Sequence, residues 1–553
     1  MLPKKSKFLL FLVTVLTVLA MTTLMFSACA PANEATEEAV VEEEAEEAEE
    51  AEEAEEAEAE EEEAEAEEEE EAEESSEDLE VEEDILETPQ YILDYTASVT
   101  PAEKQYDGVT ITVAIDGLLT GQGFAWYAEA IKARYDINVE LVPLGFFELY
   151  QEIINDLVTE TGAYDILVYP PRHNGDLAAS GYIIPLDDYI AQWDVAMDDV
   201  IPVYGELYNK VGDDTVSLMY DGDKLELYYR TDLFEHPDEM AAFEAEYGYP
   251  LDVPQTWAQY LDAAEFFTRE AGETLAGETL SDPFYGTAEI ARAPDNLNWF
   301  LNRFASAGGI YFDDEMNPAI AGPEGIQALE DFVAAIQYGP PDILNYAYVE
   351  TYGAFLGGST AMVVQWPDIA RSAENPELSQ VVGKVGYALI PGYEVDGEAN
   401  HRPSLAYGRV MALSVLSENP EAAFRVMQFI NDPEVSFGYA TSHVGGIDPF
   451  RLSTYEEPEK WVMQWDGINA YIENGKAGLV TGFPELTIPG AVRYNEALTR
   501  HIASALAGEE TVQEALELAA QEWDVITDEL GREAQLAFWQ AEIARWRALG
   551  LVP

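Results

Sequence analysis

The chain has 553 residues, a formal net charge of −83 and a single cysteine. A surface this acidic repels phosphate backbones and anionic headgroups, which argues against nucleic-acid binding. One cysteine excludes an intrachain disulfide and any zinc or iron–sulfur centre built from several thiolates.

Lys4, Lys5 and Lys7 precede an apolar run from Phe8 to about Met25, which closes on Phe26-Ser27-Ala28-Cys29. A basic stretch followed by an apolar one reads as an export signal over residues 1–28. Small residues before a cysteine resemble the lipobox of bacterial lipoproteins. That resemblance implies that Cys29 becomes a lipidated N-terminus held at the membrane. Phe26 departs from it, standing where such sequences usually carry an aliphatic residue. Residues 29–88 then form an acidic tract, with 34 acids and no lysine or arginine between Glu34 and Glu87. Like charges at i,i+4 oppose a helix and there is little to bury, so an extended, self-repelling tether is expected.

The globular part, 89–553, opens with a β-branched run at Gly108–Ile115 that predicts a strand. A helical pattern follows over Phe124–Tyr135, then strands at Ile137–Leu144 and within AYDILVYP, with a helix between them. This alternation predicts an α/β lobe with a largely parallel sheet, whose ligands bind beyond the carboxyl ends of the strands. Leu225–Phe234 reads as a further strand and VPQTWAQYLDAAEFFTRE as a proline-initiated helix. Ala406–Ser417 reads as another strand. Thr511–Leu549 is helical and holds Trp523, Trp539 and Trp546.

Several segments now appear in a familiar order. YDILVYPPRHNGDLAASGYIIPLDDYI, DGDKLELYYRTDLF, VPQTWAQY, FLGGSTAMVVQW, VGYALIPG with LSENPEAAFRVMQFI, and LAGEETVQEALELAAQEWD span about Gly108 to Leu530. In that order they resemble the family 1 extracellular solute-binding proteins of bacterial ABC importers, the group that includes maltose-binding protein. The resemblance implies a two-lobed α/β fold of the periplasmic-binding-protein type (type II), with discontinuous lobes joined by crossover strands and a ligand in the cleft. Lobe 1 is expected over about 105–228 plus part of 408–460. Lobe 2 is expected over about 229–407 plus part of the C-terminal helical region. Crossings are expected at about Leu225–Thr231 and Tyr407–Val415. The implied partners are a small solute and membrane permease subunits, and a monomer is expected.

A sugar site joins hydrogen-bonding side chains, because a buried unpaired hydroxyl is costly, to flat aromatic faces. The resemblance places Tyr169, Arg172 and His173 on a ligand loop and Asp223 before the crossover. It makes Trp366 the cleft tryptophan of the second lobe, with Asp368 close by, and adds Trp299 as an aromatic of the same lobe. Tyr407 and Gly408 resemble the pair at the return strand, where glycine would admit backbone close to the ligand. Asp116 follows the first strand. Near Pro489-Gly490 the maltose-binding type carries a stacking aromatic, whereas LTIPGAVRY has none before Tyr494, which points away from maltodextrins.

The five histidines form no HExxH, no GxSxG elbow occurs, and phosphate-cradling loops are missing. GDDTVSLMYDGD and FDDEMNP lack the full calcium-loop pattern. No catalytic role, cofactor or metal is therefore assigned. The expected function is extracytoplasmic capture of a small polar solute, a sugar or oligosaccharide. A polyamine or other cationic solute is the alternative within the binding class, and a secreted glycan-active hydrolase is the alternative outside it.

Overall fold

The computed structural model describes residues 88–552 apart from 147, 396 and 443–445. The leader, Cys29 and the acidic tether lie outside the described residues.

Two sheets organise the chain. The first contains β1 (Thr110–Asp116), β2 (Asn138–Leu144), β3 (Ile166–Tyr169) and β4 (Ser217–Asp221). The second contains β5 (Glu226–Arg230), β6 (Tyr285–Ala288), β7 (Thr360–Gln365) and β8 (Val385–Ala388). β9 (Arg409–Leu413) then returns to the first sheet. The orders are β2-β1-β3-β9-β4 and β6-β7-β5-β8. β1 runs parallel to β2 and β3, while β9 inserts antiparallel between β3 and β4. β3 and β7 are buried along their whole length. Covered on both faces, they read as unbroken apolar runs rather than alternating ones.

Local chemistry sets the helix boundaries. The helix Gln122–Tyr135 stops where Asp136 turns left-handed at φ 56° and its N–H bonds to the Lys132 carbonyl. The helix over VPQTW starts later than the proline suggests, at Trp257. Thr256 accepts from the Gln259 N–H at 3.2 Å, and the Gln259 side chain accepts from the Thr256 N–H at 3.1 Å. This reciprocal cap, not the proline, fixes the start. The strand expected at Leu225–Phe234 is shorter, because Thr231–Phe234 is already helical.

The chain passes from the first sheet to the second through Gly222–Leu225, so the expected crossover Leu225–Thr231 is mainly an inner strand of the second sheet. It returns between β8 and β9. A third passage follows Asp448, since the helix Ile468–Thr481 packs on β8. The passages lie against one another. Gly222 N–H donates to Asp448 O at 3.0 Å, and Leu225 N–H to Ser404 O at 3.0 Å. A Cβ on Gly222 would stand 2.4 Å from the Pro449 carbonyl oxygen, so the contact admits only glycine.

The C-terminal tryptophans are core. Trp523, Trp539 and Trp546 are fully buried around Phe312, Tyr311 and Phe483. They fix the helices Val512–Leu530 and Arg532–Ala548. Among the described residues no helix is long and apolar enough to cross a membrane.

Candidate functional site

Three strand ends of the first sheet deliver acidic or basic side chains to one edge. Asp116 ends β1, Asp221 ends β4, and Arg409 begins the antiparallel β9. Arg409 and Asp221 are register partners. From the second sheet, Trp366 follows β7 directly and Asp368 opens the next helix. Between the two edges lies a cavity of about 350 Å³. Six carboxylic acids line it against two arginines, Arg292 and Arg409.

Arg409 organises the first-sheet side. It donates to Asp116 Oδ2 at 2.6 Å and to Asp221 Oδ2 at 2.9 Å, and its Nη1 stands 3.5 Å from Asp223 Oδ2. Asp221 also accepts the Asp448 N–H at 2.7 Å. Burial raises the Asp221 carboxyl to about 7, with Arg409 opposing and Asp448 adding to the rise. Asp223 is raised well above the carboxylate range by burial, then by Asp221 and Asp448. Ligand oxygens of Asp221, Asp223 and Asp448 gather within 4.8 Å of one another, close enough to surround a cation. Arg409 already supplies positive charge to the first two, and Arg371 faces Asp448 at 3.2 Å.

Asp368 is held differently. Its Oδ2 accepts hydrogen bonds from the hydroxyls of Tyr348 at 2.5 Å and Tyr352 at 3.2 Å. Burial, then the Asp448 charge, lifts it to about 6. Aromatic rings complete the walls. Trp366 lies 5.8 Å from Tyr407 and 5.9 Å from Tyr348 between ring centres. Its indole N–H donates to Ala406 O at 2.6 Å, and Tyr407 donates to Asp295 Oδ1 at 2.9 Å. Aromatic faces beside buried acceptors match what a polyhydroxylated molecule presents.

Residues 118–436 match the sequence model of the bacterial extracellular solute-binding proteins. The chain is a member of that family. This solute-binding protein is 25% identical over 367 residues to a probable amino-acid ABC transporter periplasmic-binding protein of Sinorhizobium fredii, covering 64% of this chain and 76% of that one. It is 25% identical over 303 residues to a mannitol-binding protein of Pseudomonas aeruginosa, covering 53% of this chain and 62% of that one. Its fold matches an ABC transporter solute-binding protein of Agrobacterium radiobacter, solved with ribitol, at a TM-score of 0.63 and 23% identity. That match covers 76% of this chain and all of the other. The solute-binding protein therefore acts in uptake outside the cytoplasm, with a membrane permease as partner, and is not an enzyme.

Of the residues expected at the site, the fold brings Asp116, Asp223, Trp366, Asp368 and Tyr407 to the cavity. The others are placed elsewhere. Tyr169 is fully buried and spends its hydroxyl on Asn174 Oδ1 at 2.9 Å. His173 stacks on Tyr150 at 4.0 Å, and burial followed by the Arg172 charge keeps its pKa well below the usual value. Trp299 is fully buried and meets Trp366 edge-on at 5.4 Å, behind the wall. Arg172 sits one layer back, 4.2 Å from the Tyr407 ring centre and 3.2 Å from Glu485. Gly408 is small for a different reason from the one expected. A Cβ there would stand 2.5 Å from the Asp221 carbonyl oxygen, so the close approach is backbone to backbone.

The sequence reading missed Arg409, Asp295, Tyr348 and Asp448. Arg409 carried a usable signal, since an arginine at the mouth of a buried strand, level with acids ending two other strands, needs a partner. Asp295, Tyr348 and Asp448 sit in irregular segments or at a helix start and carried none.

Proposed function

We propose that this solute-binding protein captures a small polyhydroxylated solute, a monosaccharide or linear polyol, in the cavity between its two sheets. The observation that carries this is the lining, in which Trp366, Tyr348 and Tyr407 face the same space as buried carboxylates and Arg409. The aromatic faces would cover the apolar side of a carbon chain or ring, and the charged groups would take its hydroxyls. About 350 Å³ is at the small end for ligand pockets, which favours a single sugar unit over an oligosaccharide. The mannitol named for one relative and the ribitol bound in one structural neighbour belong to the same chemical class.

The binding residues proposed are Asp116, Asp223, Trp366, Asp368 and Tyr407, with Asp295, Tyr348 and Arg409 added. The lobes proposed are 105–228 with part of 408–460, and 229–407 with part of the C-terminal helices. Lipidation at Cys29 and an acidic tether over 29–88 are proposed from the leader pattern. Replacing Cys29 by alanine should then release the protein from the membrane fraction.

Calorimetric titration with monosaccharides, polyols, oligosaccharides, putrescine and spermidine at two salt concentrations tests the reading. Micromolar or tighter binding of one sugar or polyol, little changed by salt, supports it. Binding only of polyamines, weakened by salt, replaces the solute class. No binding across the panel rejects the assignment of this cavity.

A further inference from the structure

The carboxylates around the cavity are not equally provided for. Asp116, Asp221 and Asp223 share the guanidinium of Arg409, and Asp448 faces Arg371. Asp295 is bonded by the Tyr407 hydroxyl. Asp368 lines the cavity at 8% exposure and forms no ion pair among the described residues. Its Oδ2 takes both tyrosine hydroxyls, while Oδ1 is buried and has no hydrogen-bond partner among the described residues.

A buried acceptor without a donor costs free energy, and a buried carboxylate without a counter-charge costs more. Arg371, on the same helix, acts on Asp368 from a distance but makes its ion pair with Asp448. Among the described residues the lining holds six acids and two arginines, so acids outnumber bases around the cavity. Burial, then the Asp448 charge, raises the Asp368 carboxyl to about 6, so its charged form lacks full compensation where it stands. The surroundings also suit a cation. Tyr348 both bonds Asp368 and lies beside Trp366, so a positive group at this carboxylate would have aromatic rings close by. The excess of acids over lysines and arginines continues beyond the tether into the described residues, and it would attract cations to the protein.

We propose that the solute is an aminated polyhydroxy compound, an amino sugar or amino polyol, whose ammonium group binds the Asp368 carboxylate beside Trp366 and Tyr348. This rests on the polyhydroxylated-solute reading and narrows it. The hydroxyls of the solute fall to the remaining acceptors and to Arg409, while the ammonium gives Asp368 the ion pair it lacks among the described residues.

The test uses matched pairs on the purified full-length protein: glucosamine with glucose, galactosamine with galactose, and 1-amino-1-deoxysorbitol with sorbitol. N-acetylglucosamine serves as a neutral control of similar shape. The expected result is at least tenfold tighter binding of one amine than of its neutral partner, lost on N-acetylation. Asp368→Asn should bring the amine and its partner within about threefold of each other. Because the N-acetyl control needs no variant, the test survives even if D368N fails to fold. Neutral partners binding as tightly as the amines would overturn the inference and leave the polyhydroxylated reading standing. Failure of both sets to bind would reject both.

Discussion

Arg409 Nη2 donates to Asp116 Oδ2 at 2.6 Å, although β3 lies between the strands that carry the two residues. The reach is possible because β3 ends at Tyr169, which is level with Val410, one residue short of Arg409. The guanidinium therefore passes beyond the end of β3 and ties β1, β9 and β4 together at the edge facing the cavity. Replacing Arg409 by alanine would leave Asp116, Asp221 and Asp223 without their shared cation. A loss of about 3–5 kcal/mol is expected for a broken buried network. Arg409→Lys should recover only part of it, since an ammonium cannot bond several carboxylates in a fork. Urea denaturation measures both, and an alanine variant within about 1 kcal/mol of the parent would contradict this role.

Trp366 sets the aromatic wall. Its truncation to alanine should weaken solute binding by about 1–3 kcal/mol through lost stacking and burial. Trp366→Phe should fall between the two, keeping a ring while losing the indole bond to Ala406 O. Titration with the solute found in the panel gives both values. An unchanged dissociation constant in folded Trp366→Ala would remove this residue from the site.

Asp221 predicts a pH dependence. Burial lifts its carboxyl from the usual 3.8 to about 7, so between those values the folded chain holds a proton that the unfolded chain has released. The cost of ionising it in the fold is absent below 3.8 and fully present above about 7. Stability of the unliganded protein should therefore fall as pH rises through that window and level off above it. Asp221→Asn should flatten this slope while the acidic surface, which repels itself more at high pH, still contributes its own. Urea midpoints at pH 5, 6, 7 and 8 for parent and variant separate the two. Parallel curves would exclude Asp221 as a source of the dependence.

Gly408→Ala tests the backbone contact at the return strand. The added methyl would meet the Asp221 carbonyl oxygen at 2.5 Å, and neither backbone is free to move. A destabilisation of about 1–3 kcal/mol is expected from overpacking. Solute affinity measured on the folded fraction should change less than stability, because the clash lies within the sheet. A variant as stable as the parent would show that β4 and β9 yield at this point.

Much of the architecture was legible locally. The β-branched run before Asp116 and the apolar ILVY of β3 declare strands because buried parallel strands need such residues. The helix after VPQT was legible but its start was not: the reciprocal Thr256–Gln259 cap, rather than the proline, sets it at Trp257. Tyr169, His173 and Trp299 show where local reading failed. Each belongs to a plausible ligand motif, yet side-chain direction turns each into the core, and sequence order does not encode that direction.

The sequence by itself determined the family and the order of the elements, because periodicity and motif order are local properties of the chain, and five of the residues it singled out line the cavity. Only the tertiary structure decided which charges share Arg409 and that Asp368 is buried on tyrosine hydroxyls rather than in an ion pair. Asp116, Asp221, Arg409 and Asp448 are separated by up to 332 positions in the chain and meet only where the strands end. Their burial and pairing, which set their charge and hence what the cavity accepts, exist only once both sheets are in place.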